Sequence, residues 1–151
     1  MYEAFFQLKH KPFSLLPDPE FLFLSNKHAI ALSLLDYCLS GQAGFCVITG
    51  EIGSGKTTLI RAFLGRVSRS FSVGLISNTH GSLTDIASWA LNAFGQKPAG
   101  STPAETYQEL MAHLIAEYGA GRQCILIVDE AQNLTIEALE DCGQLLRRVE
   151  A

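Results

Sequence analysis

The run Gly50-Glu51-Ile52-Gly53-Ser54-Gly55-Lys56-Thr57 has the residue types and spacing to hold a phosphate. It fits G-x-x-x-x-G-K-[ST], the P-loop pattern. Gly50, Gly53 and Gly55 carry no Cβ, so backbone N–H groups can curl around an anion. A helix starting here would aim its positive end at the same place. Lys56 brings a mobile point charge for the outer phosphates. The Thr57 hydroxyl is suited to ligand the magnesium that accompanies a nucleoside triphosphate. The expected contact stretch is Gly50, Glu51, Ile52, Gly53, Ser54, Gly55, Lys56, Thr57 and Thr58. A glycine-rich turn that merely caps a helix would use the same residues. The flanks argue for the site: Phe45-Cys46-Val47-Ile48-Thr49 reads as a short buried strand, and Thr58 to Leu64 reads as a helix.

A second chemical pair, Asp129-Glu130, follows Cys124-Ile125-Leu126-Ile127-Val128. That run is apolar on both faces, as a parallel strand inside a layered sheet should be. Ligands bind at the carboxyl ends of such strands, and an ionised carboxylate is not buried there without a partner. This is the Walker B arrangement. Asp129 would hold the metal through water, and Glu130 would polarise the attacking water as a general base. The plainer alternative is two acids opening a surface loop. Asn78 ends another strand at the same sheet edge. Its amide could hydrogen-bond Glu130 and orient it, or Asn78 could simply form a turn. His10, His28, His80 and His113 have no metal-ligand spacing and read as structural residues.

The elements that must position these groups follow from periodicity and punctuation. Residues 1–24 hold Phe5, Phe6, Pro12-Phe13, Pro17-Asp18-Pro19, Phe21 and Phe23. They suggest an extended arm, with aromatics that either pack on the core or cover a nucleotide base. Residues 25–151 form the domain proper. Ser25 caps a helix to about Leu39, with Ile30, Leu34 and Cys38 on one side, and Ser40-Gly41-Gln42 ends it. The helix after the loop carries Leu59, Ile60, Phe63, Leu64 and Val67, with Arg61, Arg66 and Arg69 on its wet side. Phe71 to Ser77 reads as a strand. Ser82 then caps a helix bearing Leu83, Ile86, Ala90, Leu91 and Phe94, and Gly95 stops it. Thr102, Pro103 and Glu105 make a complete helix start. Tyr107, Leu110, Met111, Leu114, Ile115 and Tyr118 form its apolar stripe, and Gly119 and Gly121 end it. A last helix from Thr135 carries Leu139, Cys142, Leu145, Leu146 and Val149. Strands alternating with helices give an α/β fold around a parallel sheet.

The sequence holds 151 residues, 48% hydrophobic and 17% charged, which is a globular composition. A net charge of -4 argues against a strongly basic nucleic-acid footprint. Cys38, Cys46, Cys124 and Cys142 show no CxxC spacing and read as small buried hydrophobes in a reducing compartment. No apolar run approaches a membrane span and no signal peptide is visible, so a soluble, cytoplasmic chain is expected.

Taken together, Met1-Tyr2-Glu3-Ala4-Phe5-Phe6, Pro12-Phe13, Pro17-Asp18-Pro19, the glycine loop and Asp129-Glu130-Ala131-Gln132-Asn133-Leu134 resemble one family along the whole chain. It is the general secretion pathway protein A (ExeA-type) family of AAA+ P-loop ATPases. The resemblance implies a three-layer, additional-strand P-loop NTPase fold. It implies ATP as ligand, Mg2+ as cofactor and a homo-oligomer for hydrolysis. Asn78 matches the family position that switches the catalytic glutamate. Lys56 and Glu130 match its other catalytic positions, and Thr57 and Asp129 its metal positions. Secretion or pilus assembly proteins are the implied partners, and a full-length relative would be held at the bacterial inner membrane. The family continues with a further strand, a sensor residue and an arginine finger that find no match before Ala151. The chain is therefore expected to be incomplete at its C-terminal side and, by itself, a weak or inactive ATPase. Two other readings remain open: a DNA-associated ATPase, as transposition helper or helicase, and a nucleotide-gated interaction module without catalysis.

Overall fold

A computed structural model describes residues 2–8, 22–42, 44–77, 85–100 and 102–149, with the side chains of residue 42 and residues 144–149 outside that description. The chain divides into two compact units, Met1–Arg66 and Val67–Ala151.

In the first unit a single helical turn, α1 (Tyr2–Phe5), opens the chain. An extended arm was expected here. Tyr2, Phe5, Phe6 and Phe23 are exposed rather than packed on a core, while the arm's prolines lie outside the described residues. Helix α2 (Asn26–Tyr37) starts where expected, because the Ser25 hydroxyl accepts from the backbone N–H of His28. It runs into a π-helical turn, Cys38–Gln42, where Gly41 turns left-handed and ends it. Its inward residue is Leu32, not the Ile30 and Leu34 side, which is exposed. Apolar content alone did not define that face, since Ile30, Leu32, Leu34 and Leu35 ring the helix. Helix α3 (Lys56–Leu64) packs against α2 and buries Leu59 and Phe63. The helix ends at Leu64, short of the expected Val67, because Gly65 closes it; Arg61 lies on its exposed side, and Arg66, just beyond it, lies 3.9 Å from Asp36.

The expected strand Phe45–Thr49 is a correction. Among the described residues it joins no ladder, and Phe45, Cys46 and Val47 are exposed. β-branched and apolar residues favour a pleated surface, but a strand needs a neighbour for its backbone groups. The expectation that Cys46 is buried fails for the same reason. All four cysteines are free thiols; although Cys46 is exposed, the partial desolvation of its thiol, with the neighbouring Cys38 thiol, pushes its pKa upward.

The second unit is a parallel βααβ arrangement. Strand β1 (Phe71–Ile76) pairs in parallel with β2 (Gln123–Val128), in register from Phe71 opposite Gln123 to Ile76 opposite Val128. Parallel neighbours need a long crossover, which α4 (Ile86–Ala93) and α5 (Pro103–Gly119) supply. The cap of α4 is Asp85, whose carboxylate accepts from Ser88 N–H at 3.2 Å, while the expected cap Ser82 lies outside the described residues. The start of α5 forms as expected. Thr102 accepts from Glu105 N–H at 3.3 Å, and Glu105 accepts from Thr102 N–H at 3.0 Å.

The core joins Ile76 of β1 to Ile86, Ala87, Ala90 and Leu91 of α4 and Leu110 of α5, with Leu126 and Val128 of β2 packed alongside. Gly74 lets α4 come close: a Cβ there would lie 3.1 Å from the Phe94 ring and 3.2 Å from Ala93 Cβ. Two sequence expectations change. Ile115 and Tyr118 are exposed, so the buried stripe of α5 narrows to Thr106, Tyr107, Leu110, Met111 and Leu114. β2 is half-buried rather than covered on both faces, because α5 packs on it from one side; the neighbouring strand β1 leaves Leu75 40% exposed. After β2 come a 3-10 turn (Ala131–Asn133) and α6 (Ile136–Val149). The Thr135 hydroxyl accepts from Ala138 N–H, and Ala138 packs with Leu134 against Val128. Leu139 of α6 is exposed.

Candidate functional site

The glycine loop belongs to the first unit. Gly53 and Gly55 stand at φ 79° and 86°, a left-handed backbone that side chains disfavour. Gly50 faces the Ser54 hydroxyl: a Cβ there would sit 2.7 Å from Ser54 Oγ, which would have to rotate away. Ser54 N–H donates to Glu51 C=O at 3.2 Å and closes the turn. Gly55 then stands at the N-cap of α3, so the start of the helix lies directly after the loop. The Lys56 ammonium donates to Gly50 C=O and Glu51 C=O, both at 2.9 Å, and lies back over its own loop. Ile52 protrudes fully into solvent at the loop tip. Left-handed Gly53 and Gly55 followed by a helix start and a lysine are backbone and charge of the kind that can bind an anion.

The paired acids belong to the second unit. Asp129 N–H donates to Ile76 C=O at 2.8 Å, so the ladder carries on one step past Val128. This fixes Asp129 at the carboxyl end of β2, half-buried. Its Oδ1 accepts from Glu130 N–H at 3.0 Å. Glu130 is exposed and left-handed at φ 57° and ψ 38°. Its carboxylate accepts from the Gln132 amide, and its carbonyl from Asn133 N–H at 3.0 Å. Asp129, Glu130 and Gln132 thus form one local network. Asn78 follows β1 by two residues and lies outside the described residues.

His28 is the residue that sequence reasoning missed. It was read as structural, yet its Nε2 lies 2.9 Å from Ser54 C=O in the glycine loop. Only the Ser25-x-x-His28 cap spacing was legible, since the contact with Ser54 spans 26 residues of sequence.

Among the described residues, no helix is long and apolar enough to cross a membrane. The family described as AAA domain matches residues 39–150. The chain is also 35% identical over 143 residues to the general secretion pathway protein A of Aeromonas hydrophila, an alignment covering 93% of this chain and 26% of that protein. The chain therefore spans about a quarter of the length of the curated relative it matches. No solved structure matches it.

Proposed function

This chain belongs to the AAA domain family, and from that membership we propose that it is the ATP-binding module of a general secretion ATPase. The observation that carries the reading is the glycine loop: left-handed Gly53 and Gly55 ahead of α3, with Lys56 held across the loop's first carbonyls. The N–H groups of Gly53 to Thr57 bind the phosphates, and Lys56 exchanges its carbonyl partners for phosphate oxygens. Glu51, Ile52 and Thr58 complete the contact stretch. Thr57 and Asp129 are the residues that would hold Mg2+, which when bound would neutralise charge on the outer phosphates. Glu130 accepts a proton from the water that attacks the γ-phosphate in line, and Asn78 orients Glu130. The fold that goes with this reading is the three-layer, additional-strand sheet of a P-loop NTPase.

The name of the Aeromonas relative supports a place in general secretion. The longer protein would act as a homo-oligomer on the cytoplasmic side, with secretion or pilus assembly proteins as partners. Titration calorimetry with ATP and Mg2+ tests the reading. The parent chain binds, and Lys56→Ala abolishes binding. Asp129→Asn removes the Mg2+-dependent part of the affinity. Unchanged nucleotide affinity in Lys56→Ala overturns the site.

A further inference from the structure

We propose that His28 is a positioning residue for the glycine loop, holding the Ser54–Gly55 peptide so that its N–H is presented to the nucleotide phosphates. The proposal rests on the ATP-binding reading above.

In the neutral ring the hydrogen bonds assign the protons. Ser54 C=O can only accept, so His28 Nε2, 2.9 Å away, carries the hydrogen. In the neutral ring Nδ1 is then an acceptor. Ser25 Oγ lies 2.7 Å from Nδ1 and donates to it. The same hydroxyl oxygen accepts from His28 N–H at 3.4 Å. Ser25 thus uses its single hydrogen on the ring and its lone pair on the cap of α2, and no group is asked to do two incompatible things. The chain Ser25–His28–Ser54 ties the start of α2 to the phosphate loop.

Peptide planarity turns this tie into a functional one. In a trans peptide the C=O and the next N–H point in opposite directions. Drawing Ser54 C=O toward His28 therefore turns Gly55 N–H away from the ring. A flipped peptide would set a carbonyl where an N–H is needed, and a carbonyl repels phosphate. A second contact supports the role. The ring edge lies so close to Gly55 that a Cβ there would sit 3.3 Å from His28 Nε2. Both residues that precede Lys56 are thus in register with one imidazole.

The test compares the parent chain with His28→Ala, His28→Gln and Lys56→Ala for ATP and ADP affinity in Mg2+. Glutamine can place an amide N–H near the position of Nε2 and keep the bond to Ser54 C=O. One lost hydrogen bond predicts about fivefold weaker binding in His28→Ala, recovered by His28→Gln. Ligand-free parent protein should also show the Nε2–H tautomer of His28 by nitrogen-15 NMR, a readout that needs no variant to fold. Binding abolished by Lys56→Ala but unchanged by His28→Ala overturns this proposal alone. So does an Nδ1–H tautomer, or a His28→Gln variant as weak as His28→Ala. A parent chain that binds no nucleotide overturns the ATP-binding reading, and this proposal with it.

Discussion

Glu130 combines two features that rarely meet: an exposed carboxylate and a left-handed backbone without glycine. Such a conformation costs about 1 kcal/mol or more and persists where its surroundings hold it. Here the Asn133 N–H bond to its carbonyl and the Asp129 bond to its own N–H do so. Glu130→Gln keeps the shape and removes the base. It should bind ATP as the parent does and release phosphate at least about 100-fold more slowly, measured by single-turnover phosphate assay on protein that hydrolyses. Glu130→Gly removes the base and the strain together. It should lose hydrolysis equally while its urea midpoint stays level or rises. The residue types at 129 and 130 were legible from the apolar run before them. The left-handed turn was not, because glutamate gives no local sign of φ above zero. His28 was hidden differently: its partner Ser54 is remote in sequence, and a lone histidine spacing carries no message about a loop formed elsewhere.

Among the elements, α5 shows what local chemistry specifies. Thr102, Pro103 and Glu105 announced its start and the structure forms each bond. Thr102→Ala should lower stability by about 1 kcal/mol in urea unfolding. Its far end is closed by Glu117, whose carboxylate takes two bonds from Arg122, at 2.7 and 2.8 Å. The Arg122 hydrogen bonds hold the Glu117 carboxyl down at about 2, against an ordinary 4.5. A carboxyl lowered in the folded state contributes stability above its unfolded value and loses it on protonation. The advantage of the parent over Glu117→Gln should therefore be constant above pH 4.5 and vanish as pH falls towards about 2. Comparing unfolding midpoints across that range checks the sign. The outward turn of Ile115 and Tyr118 could not be read from periodicity, because an apolar stripe does not say how wide its partner surface is. Gly74 is similar. Its place in β1 was legible, but its reason is the ring of Phe94. Gly74→Val should cost about 1–3 kcal/mol by forcing α4 away from the sheet.

For the molecule as a whole, strands and helices alternating along the chain were enough to give a parallel α/β unit; its crossover helix α5 starts where the punctuation put it, whereas α4 starts at Ile86 behind Asp85, later than the Ser82 cap expected for it. A ligand that binds only the folded state raises its stability by mass action. Mg2+ and ATP at 100 times the dissociation constant should add about 2.7 kcal/mol to the parent. A thermal melt should show the shift in the parent and none in Lys56→Ala. The strand expected at Phe45–Thr49 is where local reading ended. Its residue types were right for a sheet, and sheet formation is a property of neighbours.

That stretch has a practical consequence. A protease needs a length of backbone not already engaged in a ladder, and thermolysin-like enzymes cut ahead of bulky apolar residues. Phe45 and Val47 offer both conditions within a few residues of the glycine loop. Limited digestion should nick the chain there while β1 and β2 stay intact, and the appearance of two fragments joined by no covalent bond would mark the site on a gel.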